Sequence, residues 1–321
     1  MQANMVTAIN NALEIGMREN ENVVLLGEDI GKDGGVFRVT EGLQAKFGEN
    51  RVIDTPLAEA GIAGMSVGMA LSGLKPVAEM QFAGFMFLAF DQMINHAARY
   101  RSRTRGAFTV PMIVRTPVSG GVRTLEHHSE SPEVYYSHMG GLIVVEPSTP
   151  YDAKGLMLKA LHSEDPIVFL EPTKLYRLFK QEIPDEAYEV PIGKASVVKE
   201  GSKLSIITYG TMVPLVKEVV EKKKIDAEIV DLRTINPLDE AAILASAKKT
   251  GRVLIVHEAS LSFGAGAEVA ARIAEKAMFE LEAPIMRIAS PSLPYPFPGY
   301  EKYYVPGAKR ISQAIDKLLE A

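Results

Sequence analysis

Residues 54–61 read DTPLAEAG and mark a corner at which a strand gives way to a helix. The apolar pair Val52 and Ile53 precedes the corner and indicates a short strand. Pro56 favours the start of a helix, because its missing N–H costs no hydrogen bond there. Glu59 follows in the first helical turn. The stretch therefore predicts a carboxylate at the carboxyl end of a strand, where open α/β sheets bind ligands.

The helix predicted at 58–73 is rich in small residues. Four glycines fall between positions 61 and 73, although each Gly costs about 1 kcal/mol relative to Ala inside a helix. Close approach of another backbone is the usual reason to accept that cost. Tight packing within one core and contact with a helix of another subunit both explain the pattern. Lys75 and Glu79 interrupt the apolar run before about 20 residues, so the segment is not predicted to span a membrane.

Apolar runs and helical periodicity alternate along the rest of the chain, which predicts the α/β class, with mostly parallel sheets between helices. Strands are predicted at 22–27, 51–54, 76–82, 110–115, 142–145, 167–170, 204–208, 227–231 and 252–257. Helices are predicted at 4–19, 58–73, 86–100, 150–162, 212–223, 238–248, 265–278 and 306–319. The proline-rich end, Ser290 to Pro298, predicts an extended surface segment.

The length of 321 residues predicts two domains. Prolines break the alternation after the strand at 167–170, so we predict one domain at 1–180, a linker at 181–202 and a second domain at 203–321. The net charge of −5 gives no support for nucleic-acid binding. The chain has no cysteine, which excludes disulfides and thiol catalysis. Its N-terminus lacks the pattern of a secretory signal, and we expect a cytoplasmic protein that does not enter a membrane.

Further candidate side chains lie at the ends of other predicted strands. Gln81 and Phe85 follow one apolar run, and Glu28 follows another. An ordinary structural explanation exists for each: Phe85 fits core packing, Glu28 fits a solvated acid, and Glu59 fits a first-turn acid that stabilises the helix dipole.

The histidine-containing stretch EHHSE, residues 126–130, is the other polar cluster. Adjacent histidines make a poor metal chelate when they point to opposite sides of an extended chain. A serine hydrolase would need a GxSxG elbow, which this stretch lacks, and the Gly-rich loop at 30–37 has no P-loop pattern. Exposure in a surface loop and a proton-transfer role at neutral pH therefore both remain open for this stretch.

Four motifs together resemble the β subunit of the E1 component of 2-oxo acid dehydrogenase complexes. They are DTPLAEAGIAG (54–64), AEMQFAGF (78–85), FDQMINHAARYR (90–101) and EHHSESPE (126–133). The resemblance runs in order from about residue 4 to the C-terminus. It implies two three-layer α/β/α domains, namely a thiamine-pyrimidine-binding, transketolase-like domain and a transketolase C-terminal-like domain.

The resemblance also implies roles for individual residues. Glu59 would hydrogen-bond the pyrimidine N1′ of thiamine diphosphate, and Phe85 would pack on the pyrimidine ring, with Leu57 and Gln81 beside it. His128 would lie at the mouth of the site and orient or proton-couple the acyl group as it passes to a lipoyl group. A second-rank candidate follows from the same resemblance: an acidic residue at the place of Glu28 lies in a polar tunnel between two active sites.

One absence bears on the partners of the chain. Thiamine enzymes bind the diphosphate through Mg²⁺ at a Gly-Asp-Gly motif, and this chain contains no Gly-Asp dipeptide. An E1 α subunit should therefore hold Mg²⁺ and the diphosphate in an α₂β₂ assembly with β–β contact, which works with an E2 acyltransferase core and its lipoyl domain. The resemblance further implies a K⁺ site at Met112, Ala160, Leu161, Ser163 and Asp165.

The motifs leave alternatives for the substrate and for the role. The residues around Ser131-Pro132-Glu133 lean slightly toward a branched-chain 2-oxo acid over pyruvate. Another two-component thiamine enzyme, such as a split transketolase or an acetoin dehydrogenase, fits the same motifs. A non-catalytic subunit that binds E2 through its C-terminal domain is a third reading.

Overall fold

The apolar runs of the sequence form the strands of two main sheets in the computed structural model, which describes residues 1–321. The predicted α/β class is confirmed. In chain order the strands are β1 (Gln2–Ala3), β2 (Val23–Gly27), β3 (Val52–Asp54), β4 (Lys75–Glu79), β5 (Ile113–Val118), β6 (Ile143–Val145), β7 (Ile167–Pro172), β8 (Gln181–Glu182), β9 (Ser196–Lys199), β10 (Leu204–Thr208), β11 (Ala227–Asp231), β12 (Thr234–Asn236), β13 (Val253–Ser260) and β14 (Met286–Ser290).

The α-helices cover both faces of the sheets, as the amphipathic segments predict. In chain order they are α1 (Met5–Glu19), α2 (Leu43–Phe47), α3 (Glu59–Leu71), α4 (Tyr100–Arg103), α5 (Glu133–Ser137), α6 (Pro150–Leu161), α7 (Met212–Lys223), α8 (Glu240–Thr250), α9 (Ala265–Ala277), α10 (Glu301–Tyr304) and α11 (Ala308–Glu320). No helix combines the length and the apolar character that crossing a bilayer requires.

The first sheet has the strand order β12-β6-β7-β5-β4-β2-β3, and only β12 runs antiparallel to its neighbour. Neighbouring residues along its strands face opposite layers. Leu25 packs in a core under α1 and α6, whereas Leu26 packs in a core under α3. Because both faces are buried, the strands need unbroken apolar runs, as the sequence of β2 shows.

The second sheet has the order β14-β13-β10-β11-β9, and β9 is its antiparallel edge. One of its faces packs on α7 and α11. The core on its other face, which includes Ile243 of α8 and Val269 of α9, is continuous with the core under α3 of the first domain. The two domains therefore share buried apolar surface. The chain also crosses back between them, because β12 follows β11 of the second sheet but pairs with β6 of the first.

The prediction of a regular helix at 86–100 is wrong. Residues Phe85–Ala89 and Ala97–Arg99 wind as 3₁₀-helices, and Gln92–His96 winds as a π-helix. Phe85, Phe87 and Phe90 of this segment contact His128, Tyr135 and Tyr136, respectively. A regular α-helix would turn Phe85 and Phe87 to opposite sides. Tertiary packing of the aromatic rings thus overrides the local preference for α-helix.

The strand predicted at 110–115 lies three residues later, as β5. Pro111 lacks an N–H and falls outside the ladder, whereas Pro117 is tolerated inside β5 because β4 pairs only with its residues 113–115. Five strands were not predicted, because runs of two to five residues carry little periodicity: β1, β8, β9, β12 and β14. The predicted linker at 181–202 contains β8, which pairs with β1, and β9.

Candidate functional site

Four adjacent parallel strands of the first sheet end at one edge, in the order β3, β2, β4 and β5. The loops that follow them carry the predicted site residues. Parallel strands bring their carboxyl ends together, so this sheet edge is where an α/β fold places a ligand. We call it the site edge.

Glu59 lies at the site edge as the first residue of α3. Its side chain is largely buried, with 8% of the residue exposed, and no side chain caps the helix start at Ala58. The free N–H groups of a first helical turn favour a negative charge or a hydrogen-bond acceptor beside them. The largely buried Glu59 side chain thus belongs to a first helical turn whose backbone N–H groups have no side-chain cap.

Glu28 follows β2 directly and is 3% exposed, yet neither of its carboxylate oxygens has a hydrogen-bond partner. Burial, together with the nearby carboxylates of Glu59, Asp29 and Glu79, raises the pKa of Glu28 to about 7. A buried acid without a donor is costly unless it holds a proton or receives a partner from outside. Its signal in the sequence was an acid placed directly after an unbroken apolar strand.

Phe85 and His128 are brought together at the same edge. Their ring centroids lie 5.4 Å apart, and the His128 ring packs against Phe82 at 4.2 Å. The Gly84 N–H donates to the His127 carbonyl at 3.2 Å, which holds the loop against this cluster. Nδ1 of His128 is buried without a partner. The arrangement combines an aromatic face with an imidazole ring whose buried Nδ1 has no hydrogen-bond partner.

Gln81 and Leu57 occupy different environments. Nε2 of Gln81 donates to Asp29 at 3.3 Å, which ties it to the loop after β2. Leu57 is 80% exposed. An isolated Leu of this exposure beside a polar cleft is suited to packing against a ligand or a second chain, and the single chain leaves it uncovered.

A buried ion network supports the site edge from below and was not predicted. Arg115 of β5 pairs with Glu79 at the end of β4, and its Nε donates to Glu171 of β7 at 2.6 Å. The Tyr176 hydroxyl donates to Glu171 at 2.5 Å. Burial raises the pKa of Glu79, and the Arg115 charge opposes that rise. The available signal was a charged residue inside three otherwise apolar strands.

The predicted K⁺ ligands lie near one another but are engaged with protein donors. Nζ of Lys75 donates to the Leu161 carbonyl at 3.2 Å, and the Arg101 guanidinium binds the Asp165 carboxylate at 2.6 Å. The Ser163 hydroxyl donates to the Asp165 carbonyl at 2.9 Å. Hard cations need several free oxygen ligands. The Lys75 ammonium thus occupies one of the predicted carbonyls, and the K⁺ site at Met112, Ala160, Leu161, Ser163 and Asp165 stays a prediction.

No cluster of three or more His, Asp or Glu side chains is arranged to hold a metal ion. Two parallel sheets, an acid at the start of a helix and an aromatic face beside it are features of the transketolase class of α/β proteins. The family models agree: residues 1–178 match "Transketolase, pyrimidine binding domain" and residues 193–311 match "Transketolase, C-terminal domain".

Relatives define the family more closely. The chain is 51% identical over 320 residues to the pyruvate dehydrogenase E1 component subunit beta of Acholeplasma laidlawii, covering 99% of this chain and 98% of that one. It is 48% identical over 322 residues to the subunit of the same name from Bacillus subtilis (strain 168), covering 99% of both. The chain belongs to the family of E1 β subunits of 2-oxo acid dehydrogenases. Transketolase-family E1 enzymes use thiamine diphosphate.

A solved structure shows the same fold. The chain superposes with a TM-score of 0.80 on a split-gene transketolase described as an inactive beta4 tetramer, covering 100% of this chain and 99% of the other. The two are 21% identical, so this likeness bears on the fold alone.

Proposed function

We propose that this chain is the β half of a pyruvate dehydrogenase E1. It takes part in thiamine-diphosphate-dependent oxidative decarboxylation of pyruvate and passes the acyl group to the lipoyl group of E2. The observation that carries the proposal is the site edge, where buried Glu59 follows β3 and the Phe85–His128 cluster follows the adjacent strands β4 and β5. The names of the relatives favour pyruvate as substrate.

The residues present fit the pyrimidine half of the cofactor. Bound thiamine diphosphate would supply the carbon that attacks the 2-oxo group. Glu59 would hydrogen-bond the pyrimidine N1′ and so fix the tautomer of the ring. Phe85 would pack on the ring and exclude water, with Gln81 and Leu57 beside it. The His128 imidazole would move a proton as the acyl group passes to the lipoyl group.

The diphosphate half of the site is assigned to a partner chain. This chain has no Gly-Asp dipeptide and no side-chain cluster suited to a metal ion, so an E1 α subunit would hold Mg²⁺ and the diphosphate. Gly61, Met65 and Gly68 lie on an exposed face of α3, and Leu57 is exposed beside its start. This smooth surface is suited to close contact with α or with a second β chain in an α₂β₂ tetramer.

The slight lean toward branched-chain substrates, drawn from Ser131-Pro132-Glu133, stays a prediction. Glu133 of this motif is buried and accepts a hydrogen bond from the Tyr209 hydroxyl at 2.6 Å, so it connects the two domains. A purely non-catalytic, E2-binding role would not require the buried, unpartnered oxygens of Glu28.

The decisive experiment is reconstitution with an E1 α subunit. The purified β chain should show no thiamine-dependent decarboxylation, and the α–β complex should decarboxylate pyruvate and acylate a lipoyl domain. Assays with pyruvate, 2-oxobutyrate and 2-oxoisovalerate would rank the substrates. Decarboxylation by the β chain alone would overturn the divided site, and a complex that is inactive on all three acids would refute the proposed reaction.

A further inference from the structure

The loop that carries His128 has a strained backbone. We call residues 119–130 the histidine loop; the Ser119 N–H closes it by donating to the Glu130 carbonyl at 2.9 Å. Ser119 and Arg123 have φ angles of 70° and 60°, in the left-handed region that side chains other than Gly rarely adopt. Strain of this kind persists only where surrounding contacts impose the conformation. The contacts that impose it therefore determine where His128 lies.

Several of these contacts come from the second domain. The Gly120 N–H donates to Glu258 of β13 at 2.5 Å, and the Arg123 N–H donates to Oε2 of Glu301 at 3.2 Å. The Tyr295 hydroxyl donates to the same Oε2 at 2.8 Å. Tyr295 also packs so closely on the loop that a Cβ at Gly120 would overlap its hydroxyl. Tyr295 and Glu301 thus form a latch over the first half of the histidine loop.

The loop transmits this constraint to His128 through its own hydrogen bonds. The Thr124 hydroxyl, one residue after Arg123, donates to the His128 carbonyl at 3.3 Å and shares a 2.7 Å hydrogen bond with the Ser129 hydroxyl. On the opposite side, Gly84 of the first domain binds the His127 carbonyl. The backbone around His128 is therefore held directly by Gly84 and Thr124, and Glu301 of the second domain acts on it through Arg123, the neighbour of Thr124.

We propose that Tyr295 and Glu301 are positioning residues for His128, so that the second domain sets the acyl-transfer geometry at a site in the first. This inference deepens the proposed function and rests on it. The closure within the first domain, from Ser119 to Glu130, fixes only the ends of the loop. The amides of Gly120 and Arg123 lie between those ends and depend on the carboxylates of Glu258 and Glu301.

The test uses variants of the latch in the reconstituted α–β complex. Glu301→Ala removes the acceptor of both hydrogen bonds and should lower kcat for lipoyl-domain acylation about tenfold, the loss expected for one or two hydrogen bonds. Decarboxylation with an artificial electron acceptor, and KM for pyruvate, should change less than about twofold. Glu301→Gln keeps a carbonyl oxygen that can accept both bonds, so it should restore most of the acylation rate.

Two further variants guard the interpretation. Tyr295→Phe removes one hydroxyl without altering the packed ring, and should give a smaller loss in the same direction. Asp316→Ala breaks a surface pair with Lys223 in the same domain and should leave both assays unchanged. Amide hydrogen exchange in the histidine loop should accelerate in Glu301→Ala and not in Asp316→Ala.

The outcomes separate this inference from the proposed function. Equal losses in both assays, or unchanged acylation in Glu301→Ala, would refute the positioning role. His128→Ala is measured in the same preparation. A loss in His128→Ala without any loss in Glu301→Ala refutes the latch alone, whereas a normal acylation rate in His128→Ala refutes the role of His128 and the latch with it.

Discussion

Glu28 and Glu258 are buried carboxylates near the carboxyl ends of parallel strands, one in each sheet. Neither oxygen of Glu28 has a partner. Both oxygens of Glu258 have one, since the Gly120 N–H donates at 2.5 Å and the Thr211 hydroxyl at 2.7 Å. Burial raises the pKa of both acids, but at Glu258 these hydrogen bonds oppose the rise. The same architecture thus leaves the buried acid Glu28 without a partner in the first domain. In the second domain it gives Glu258 two hydrogen-bond donors, one of which, Gly120, belongs to the first domain.

The difference shows which edge can do chemistry. Asp231 at the end of β11 repeats the second pattern, because the Ser148 hydroxyl of the first domain binds it. Glu258 and Asp231 of the second sheet therefore attach one domain to the other. In the first sheet Arg115 pairs with Glu79 and Glu171, whereas Glu28 is left available to a ligand or a proton, at a cost in stability.

The largest expected effect concerns Glu59. In the reconstituted complex, Glu59→Gln should lower the decarboxylation rate by about a hundredfold or more, because an amide cannot exchange a proton with the pyrimidine N1′. Size-exclusion chromatography should show an intact complex, and Glu49→Gln, at an exposed acid before β3, should be normal. Near-normal turnover in Glu59→Gln would show that Glu59 is not needed for the reaction, and the site edge would then lack the chemical role that separates it from the second sheet.

The buried ion network should carry the largest effect on stability. Arg115→Met in the isolated chain would leave Glu79 and Glu171 buried without their cation, and should cost about 3–5 kcal/mol of unfolding free energy. Urea unfolding measures this loss. Arg101→Met breaks an exposed pair and should change the midpoint little. Similar midpoints for the two variants would show that the network does not support the site edge.

His128 should separate two steps of the reaction. We expect His128→Ala to lower lipoyl acylation about tenfold or more while decarboxylation with an artificial acceptor falls less, because the proton transfer it assists belongs to the second step. His138→Ala, on the helix end that follows, provides a histidine control outside the cluster around Phe82 and Phe85. Equal losses in the two assays would count against a role confined to acyl transfer.

The hydrogen bonds to the buried Glu258 can be weakened at Thr211. Thr211→Val removes the hydroxyl that donates to Glu258 and leaves one buried oxygen unpaired, so it should cost about 1–3 kcal/mol of unfolding free energy. Ser202→Ala, which removes an exposed hydrogen bond to Asp226, is the matched control. An unchanged unfolding free energy in Thr211→Val would mean that water replaces the hydroxyl and that Glu258 is less tightly packed than the distances indicate.

The smallest effect should be a change in pH dependence at Glu28. The pKa of about 7 in the folded chain lies above the ordinary value of 4.5, so its contribution to stability is complete below the ordinary value and is lost as the pH rises through 7. Glu28→Gln in the isolated chain should therefore raise Tm by a few degrees at about pH 8 and change it little at about pH 4. If the Tm of the unmodified chain and of Glu28→Gln changes with pH in the same way, a group other than Glu28 causes the pH dependence.

The sequence predicted most of the fold because its main strands are unbroken apolar runs and several of its helices, such as α1, α9 and α11, are amphipathic. The strand 204–208 and the helix 212–223 have the observed bounds. The 3₁₀- and π-helical turns on either side of Phe90 could not be predicted, because they depend on contacts with His128, Tyr135 and Tyr136, which are distant in the chain. The site residues were reached through motifs, whereas the Arg115 network became visible only when β4, β5 and β7 lay side by side.

Strand β12 belongs to the first sheet although it follows strands of the second sheet, and this limits where the chain can be cut into separately expressed domains. Residues 234–236 complete the edge of the first sheet only after three strands of the second sheet, β9, β10 and β11, have been made. During synthesis, the nascent first domain must wait with β6 uncovered until the ribosome has passed position 236. A gene fragment that stops near residue 180 would leave that edge open to pairing with other chains, which invites aggregation. Expression of the first domain alone would therefore require a graft of β12 or a charged edge in its place.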